Sequence, residues 1–499
     1  MIRQAGACIP CTEIFDYPRI PNRGYYHDVT RGRIPTLDYL KKLVDKISFY
    51  KLNQLQLYVE HSFLFEGFSE VWRDDTPLTA QDILELDHYC RERHVELVPS
   101  IACFGHLYKT LRTKTYGHLC ELSDAGEQPF GFVDRMNHHT LNVSDPDSIA
   151  LAKRLIDEYL PLFTSKHFNI CSDETFDLGK GKSCMLAQEK GTQRMYLDFV
   201  KELCTYVIEK GKIPMFWGDI ICEFPEAIRE LPEETICLNW GYDWNCSEDS
   251  TRKLSEAGAN LYNCPGVSGW DQFVNNIWAS YENIRRMCSY AYKYNAIGVL
   301  NTDWGDCGHI NHPDFSVTGM IYGASFSWNR EIPEFAEINR QISRVEFEDS
   351  SEGIVSILAE ISDGWVFCWR DAVNFMEGKA AAFDVEKLHG TQDALVKLRG
   401  ITENLYHIIP ELSAEKRELV KPYLVAIRGM ELIQKTGVVL GAREYQTDMI
   451  FPVDARKLAS DLENWFYDYK EVWRSVSRES ELYRIQNVVF WYADYLRQV

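Results

Sequence analysis

No apolar run in these 499 residues approaches the length needed to cross a bilayer. The opening stretch, MIRQAGACIPCTEIFDYPRI, lacks the apolar centre of a secretory leader, so a cytoplasmic location with no membrane partner is expected. Basic residues are in short supply. With 53 Lys and Arg against 74 Asp and Glu, the formal charge is −21, which disfavours nucleic acid as a partner. No glycine-rich nucleotide turn follows the first strand candidate, and GKGKS (179–183) fails as a phosphate loop because Phe176 stands where its leading glycine belongs. Metal-ligand spacing is missing as well: Cys8 and Cys11 form the single CxxC, without a second pair or a nearby histidine cluster. The 15 cysteines are odd in number and scattered, as at Cys90, Cys171, Cys204 and Cys237. That pattern reads as reduced, buried thiols and not as a disulfide frame. No cofactor and no metal are expected.

What is present is an ordinary globular composition, 45% hydrophobic and 25% charged, on a chain long enough for two domains. From residue 24 to about 328, eight short apolar runs alternate with connecting stretches, many amphipathic. The runs are GYYHDV (24–29), NQLQLYVE (53–60), VELVPS (95–100), HFNIC (167–171), KIPMFWG (212–218), TICLNW (235–240), ANLYNC (259–264) and IGVLNT (297–302). The connections include a helical face of Leu37, Leu40, Leu43, Val44 and Ile47, and a capping-box start at Thr79 to Asp82. Eight such units predict a closed (β/α)8 barrel. Beyond about residue 330 the strands cease. Leu458, Leu462, Trp465, Tyr469, Val472 and Val476 recur at steps of four and three, and Leu482, Ile485, Val489 and Leu496 suggest a further helix. The expected division is an extension over 1–23, a barrel over 24–330 and a mainly α-helical C-terminal domain over 331–499.

Chemistry in such barrels gathers where the strands end, and the unusual residues of this chain gather there. Arg31 follows the first strand, Glu60 and His61 end the second, and His106 lies beyond the third. Asp173 and Glu174 end the fourth, Trp217 and Asp219 the fifth, and Trp240 the sixth. Trp270 with Asp271 follows the seventh strand, and Trp304 with Asp306 the eighth. One tryptophan is ordinary core. Four at one rim, each near a carboxylate, suit a sugar, whose C–H faces stack on indoles while its hydroxyls meet fixed charges. The stretch HFNICSDETF has a second explanation: Ser172 or Asp173 could cap a helix, with the acids favoured by its dipole.

GYYHDVTRGR, KLNQLQLYVE, CFGHL, NICSDE, FWGD and LNTDWGD together resemble the barrel of glycoside hydrolase family 20, the β-N-acetylhexosaminidases, and within it the branch that includes hexosaminidase D. The resemblance spans most of residues 24–328. It implies that Glu174 is the general acid/base and that Asp173 orients the substrate's 2-acetamido group. It implies further that Arg31 and Asp306 bind hydroxyls, that His106 lies near the floor, and that Trp217, Trp240 and Trp304 wall the pocket. Two positions depart from the family. Glu60-His61 stands where an Asp is usual, and Trp270 stands where a tyrosine after strand seven usually donates to the acetamide oxygen.

Hydrolysis with retention normally uses an acid and a separate carboxylate nucleophile about 5 Å apart. Neighbouring residues leaving a strand should point in different directions, which favours a substrate-assisted route in which the acetamide oxygen itself attacks. The expected activity is exo-acting removal of a terminal β-linked N-acetylhexosamine. Three alternatives stand beside it: a non-catalytic sugar-binding barrel, an exo-β-glucosaminidase acting on a free 2-amine, and a metal-dependent hydrolase using His138 and His139, or His309 and His312. Gluco or galacto preference, the aglycone, and a homo-oligomeric state are open at this point.

Overall fold

The computed structural model describes residues 11–379, 385–444 and 450–498; Cys8 of the CxxC pair lies outside them. Eight parallel strands close into one barrel in sequence order. They are β1 (Asn22–Asp28), β2 (Gln54–Val59), β3 (Glu96–Ile101), β4 (His167–Asn169), β5 (Ile213–Trp217), β6 (Ile236–Trp240), β7 (Asn260–Cys264) and β8 (Gly298–Asp303). Every expected strand is present, within two residues at its ends. All six residues of β2 and of β8 are buried, as a parallel sheet covered on both faces requires.

Helices cover the outside: α1 (Leu37–Phe49), α2 (Ala80–Glu92), α3 (Pro146–Tyr159), α4 (Thr192–Glu209), α5 (Asp249–Ala257), α6 (Ile277–Lys293) and α7 (Val317–Trp328). Their starts follow local chemistry. Thr36 accepts from the Tyr39 N–H at α1, Thr79 and Asp82 form a reciprocal capping box at α2, and Asp145 caps α3 with Pro146 in its first turn. Between β5 and β6 no α-helix forms; two 3-10 turns, Ile221–Glu223 and Pro225–Glu230, make the crossover.

The barrel closes where β1 meets β8, in register from Asn22↔Gly298 to His27↔Asp303. One carboxylate ties this seam: Asp303 Oδ2 lies 3.0 Å from both His27 Nδ1 and the Tyr25 hydroxyl, and Oδ1 accepts from Ser316 Oγ at 2.8 Å. The weakest join is β3 to β4, which is one residue pair, Ser100↔Asn169.

Residues beyond 330 are helical: α8 (Phe335–Val345), α9 (Ile354–Ile361), α10 (Trp369–Met376), α11 (Thr391–Ile408), α12 (Val420–Glu444), α13 (Ala455–Arg474) and α14 (Leu482–Arg497). The apolar repeat falls on α13, except that Val476 lies past its end. There the Val476 carbonyl instead accepts the Thr36 N–H at 2.9 Å. These helices rest on the rim beside β7, β8 and β1. Trp369 Nε1 donates to Cys307 O at 2.8 Å, and Tyr469 Oη donates to Ile310 O at 2.9 Å. Phe273 packs edge-on against Trp369 and Trp465. The loop after β1 is held most firmly: Gly32 O accepts from Glu481 N and Ser480 Oγ, and Ile34 O accepts from Arg478 N.

Candidate active site

The pair that raised the cap reading sits in no helix. β4 ends at Asn169, and the next helical residue is Cys184. Neither Ser172 nor Asp173 caps anything; Ser172 Oγ donates back to Ile170 O at 3.2 Å. Cys171, Ser172 and Glu174 instead adopt positive φ angles of 55°, 71° and 47°, a region that costs ordinary residues about 1–3 kcal/mol. Three anchors hold this turn. Asn169 Oδ1 accepts the Cys171 N–H at 2.9 Å, Tyr196 donates to Ser172 O at 3.0 Å, and Asp219 Oδ2 accepts the Glu174 N–H at 3.0 Å. Because the backbone is no longer a strand, the two acids converge. Asp173 Oδ2 lies 3.5 Å and Glu174 Oε2 3.1 Å from His106 Nε2, which corrects the expectation that they diverge.

The convergence leaves the acids unequally open. The Asp173 side chain is 9% exposed and that of Glu174 is 27% exposed. Burial works against a charged imidazole at His106, but Asp173 and Glu174 outweigh it and hold its pKa above the usual range. Arg31 NH2 faces the opposite ring nitrogen at 3.4 Å, so a proton belongs on the edge toward the acids. Asp219 is half-buried, with its Oδ1 enclosed and its Oδ2 taken up by the Glu174 N–H. Burial, reinforced by the charge of Asp173, pushes its pKa up to about 8.

On the other side of His106, Arg31 NH1 donates to Asp306 Oδ1 at 2.9 Å and Nε donates to Glu60 Oε1 at 3.3 Å. Its guanidinium lies about 5 Å from the ring centres of Tyr58 and Trp304, a cation–π distance. Burial opposes the Glu60 charge, yet His61, Arg135 and Arg31 hold its pKa down to about 2. Glu60 therefore stays ionised where the resemblance leads one to expect an Asp.

Aromatic rings form the remaining surface. Trp217 is completely buried, its ring centre 5.8 Å from that of Trp304. Trp304 Nε1 donates to the Tyr242 hydroxyl at 2.9 Å; Tyr242 stacks on Trp240 at 5.0 Å and meets Trp270 at 5.3 Å. Asp271 donates its N–H to Asp306 O at 3.4 Å, and its carboxylate pairs with Arg370 of α10. All thirteen strand-end residues singled out in the sequence thus join one connected constellation, His61 through Glu60 and Asp219 through Glu174. Tyr242 was missed. Its signal was an aromatic two residues past a strand end, in NWGYDW, hidden beside the more conspicuous Trp240. Burial holds the phenol well above its ordinary pKa, and Asp173 is among the charges acting on it, so it keeps its proton.

Among the described residues, two clusters bring three metal-capable side chains together: His106 with Asp173 and Glu174, and His61 with Asp75 and Glu481. Neither contains His138, His139, His309 or His312. His138 pairs with Asp177 at 2.8 Å, and burial lowers the pKa of His139 and of His312 to about 4. Among the described residues no helix is long and apolar enough to cross a membrane.

A family model, glycosyl hydrolase family 20, catalytic domain, matches residues 21–320. The chain is 34% identical over 288 residues to a beta-hexosaminidase of Akkermansia muciniphila, covering 51% of this chain and 54% of that protein. It is 24% identical over 221 residues to hexosaminidase D of Homo sapiens, 42% and 43% of the two chains. It therefore spans about half the length of these curated relatives. In fold it is similar to a beta-N-acetylhexosaminidase from Bacteroides fragilis, with TM-score 0.57, 19% identity, and coverage of 70% of this chain and 76% of that one. It is also similar to a Flavobacterium johnsoniae chitobiase, with TM-score 0.55, 16% identity, and coverage of 92% and 79%. A match over 300 consecutive residues that includes every strand of the barrel means that the chain belongs to glycosyl hydrolase family 20.

Proposed function

We propose that this protein is an exo-acting, retaining β-N-acetylhexosaminidase that removes a terminal β-linked N-acetylglucosamine or N-acetylgalactosamine by substrate-assisted catalysis. Residues 24–330 act as the catalytic unit and 331–499 as its helical support. The observation that carries the reading is the unequal exposure of two acids on one histidine edge. Glu174 is open to solvent, where a leaving group departs. Asp173 is enclosed, where an acetamide can turn under the ring.

Arg31, Asp306 and Glu60 take the hydroxyls at the far edge of the sugar through charge-assisted hydrogen bonds, each worth about 1.5–3 kcal/mol. Trp304 and Trp240 stack on its C–H faces. Asp173 accepts the acetamide N–H and stabilises the positive charge that grows on it. Tyr242, beside Trp270 and within the field of Asp173, donates to the acetamide oxygen, a task the sequence suggested for Trp270. The oxygen attacks the anomeric carbon as Glu174 gives its proton to the glycosidic oxygen, and an oxazolinium forms as the aglycone leaves. Glu174 then takes a proton from water, which opens the ring and restores the acetamide. The carboxylate oxygens of Asp173 and Glu174 lie within 4.8 Å, so a protein nucleophile is the rival mechanism. Progressive fluorination of the acetyl methyl separates the two. A steep fall in kcat/KM is expected; a flat series, or activity only on the free-amine glycoside, would overturn substrate assistance.

A further inference from the structure

Behind Arg31 lies a second charged cluster that the catalytic residues do not use. His61, Asp75 and Glu481 offer three donor atoms within 4.8 Å of one another. Cations already hold these acids. Lys109 Nζ lies 3.2 Å from Asp75 and 3.8 Å from Glu481, and Arg484 Nε lies 3.2 Å from Glu481. A divalent ion would enter against these charges, so the cluster does other work.

Its connections run in one direction, from the C-terminal helices to the sugar-binding arginine. Glu481, 2% exposed, accepts from Arg135 NH1 at 2.6 Å. Arg135 NH2 is 3.6 Å from Glu60 Oε2, and Glu60 Oε1 accepts from Arg31 Nε at 3.3 Å. His61 spans the same gap, 3.7 Å from Glu60 and 3.6 Å from Glu481. Glu481, Arg135, His61, Glu60 and Arg31 are each at most 5% exposed, so water cannot replace a lost partner and the charges must answer one another.

We propose that Glu481 is a positioning residue for Arg31, acting through Arg135 and Glu60. With Glu481 ionised, Arg135 is shared and Glu60 is free to hold Arg31 Nε. Without it, the Arg135 guanidinium turns wholly to Glu60 and draws that carboxylate from Arg31, which then swings toward Asp306 and His106. The assignment rests on the proposed function only for what Arg31 binds.

The test is a double-substitution cycle of Glu481→Gln with Arg31→Ala, read in two ways. With a chromogenic β-N-acetylglucosaminide, Glu481→Gln should raise KM about tenfold and leave kcat within about twofold. In the Arg31→Ala background the same substitution should change nothing further. Read by urea unfolding, which needs no substrate, the two substitutions should be non-additive although the residues do not touch. A folded Glu481→Gln protein with wild-type KM, or additive effects in urea, overturns the proposal. If Glu481→Gln does not fold, Glu481→Asp keeps the charge but shortens its reach to Arg135; a raised KM that added Arg135→Met returns to the wild-type value supports the relay, and a wild-type KM for Glu481→Asp, or no return, overturns it. A wild type inactive on this substrate sinks the functional reading, while the urea cycle still decides the relay.

Discussion

Three carboxyl groups, Asp173, Glu174 and Asp219, crowd one backbone turn, and Asp219 absorbs the electrostatic strain. Its pKa is raised to about 8, first by burial and then by Asp173. For an acid raised on folding, the stabilising contribution is complete below the ordinary aspartate range and is lost as pH climbs through about 8. Wild-type stability should therefore decline between about pH 4 and 8 by more than that of Asp219→Asn. Parallel urea midpoints across that range would refute the assignment. For the pair itself, Glu174→Ala should harm sugar leaving groups about 10²–10⁴-fold more than nitrophenolate, which departs almost unaided. Asp173→Asn should slow both alike. Equal damage from Glu174→Ala on both substrates would remove its role as acid. These two acids were legible because a buried run stops abruptly at them. Tyr242 was not, since the phenol's role depends on Trp304 and Asp173, brought beside it by folding and not by spacing. Nor was Glu481, which folding buries opposite Arg135, 346 positions away along the chain.

At the scale of elements, the rim loops carry the candidate site and the strain. The apolar runs revealed eight strands because both faces of a parallel barrel strand are buried, leaving an unbroken signal. They overstated β4, read as HFNIC, because Ile170 and Cys171 are apolar yet leave the sheet before the turn of positive φ. They also could not reveal that Pro225 and its neighbours form 3-10 turns where the other crossovers are helical. The loop after β1 depends on a glycine with φ of +118°; a Cβ at Gly32 would meet Gly308 O at 2.3 Å. Backbone on both sides cannot yield as a side chain would. Gly32→Ala should push the β1 and β8 loops apart, separating Arg31 from Asp306. The expected results are a loss of stability of about 2–4 kcal/mol and a fall in kcat/KM of at least about tenfold. A variant with unchanged melting temperature and kinetics would show that the two loops are not held by this contact.

The whole molecule is a barrel whose strand-end rim, which carries the candidate site, is buttressed by helices from far along the chain. Both clusters of potential metal donors already hold protein cations: His106, its pKa held up by Asp173 and Glu174, in one, and Lys109 with Arg484 in the other. Exhaustive chelation should accordingly leave kcat and KM unchanged, and recovery of lost activity by an added divalent ion would contradict the charge balance described above. The clamp on the β1 loop has a consequence in time. Ile34 N donates to Ser480 Oγ across 446 positions of chain. At about 5–20 residues per second, a ribosome needs roughly 20 to 90 seconds to pass from one to the other. All eight strands are thus synthesised while the arginine loop still waits for its partner. On the proposed function, newly made protein should show no glycosidase activity until its final helices arrive, whereas a nick near residue 330 in the finished molecule would leave a pocket already set.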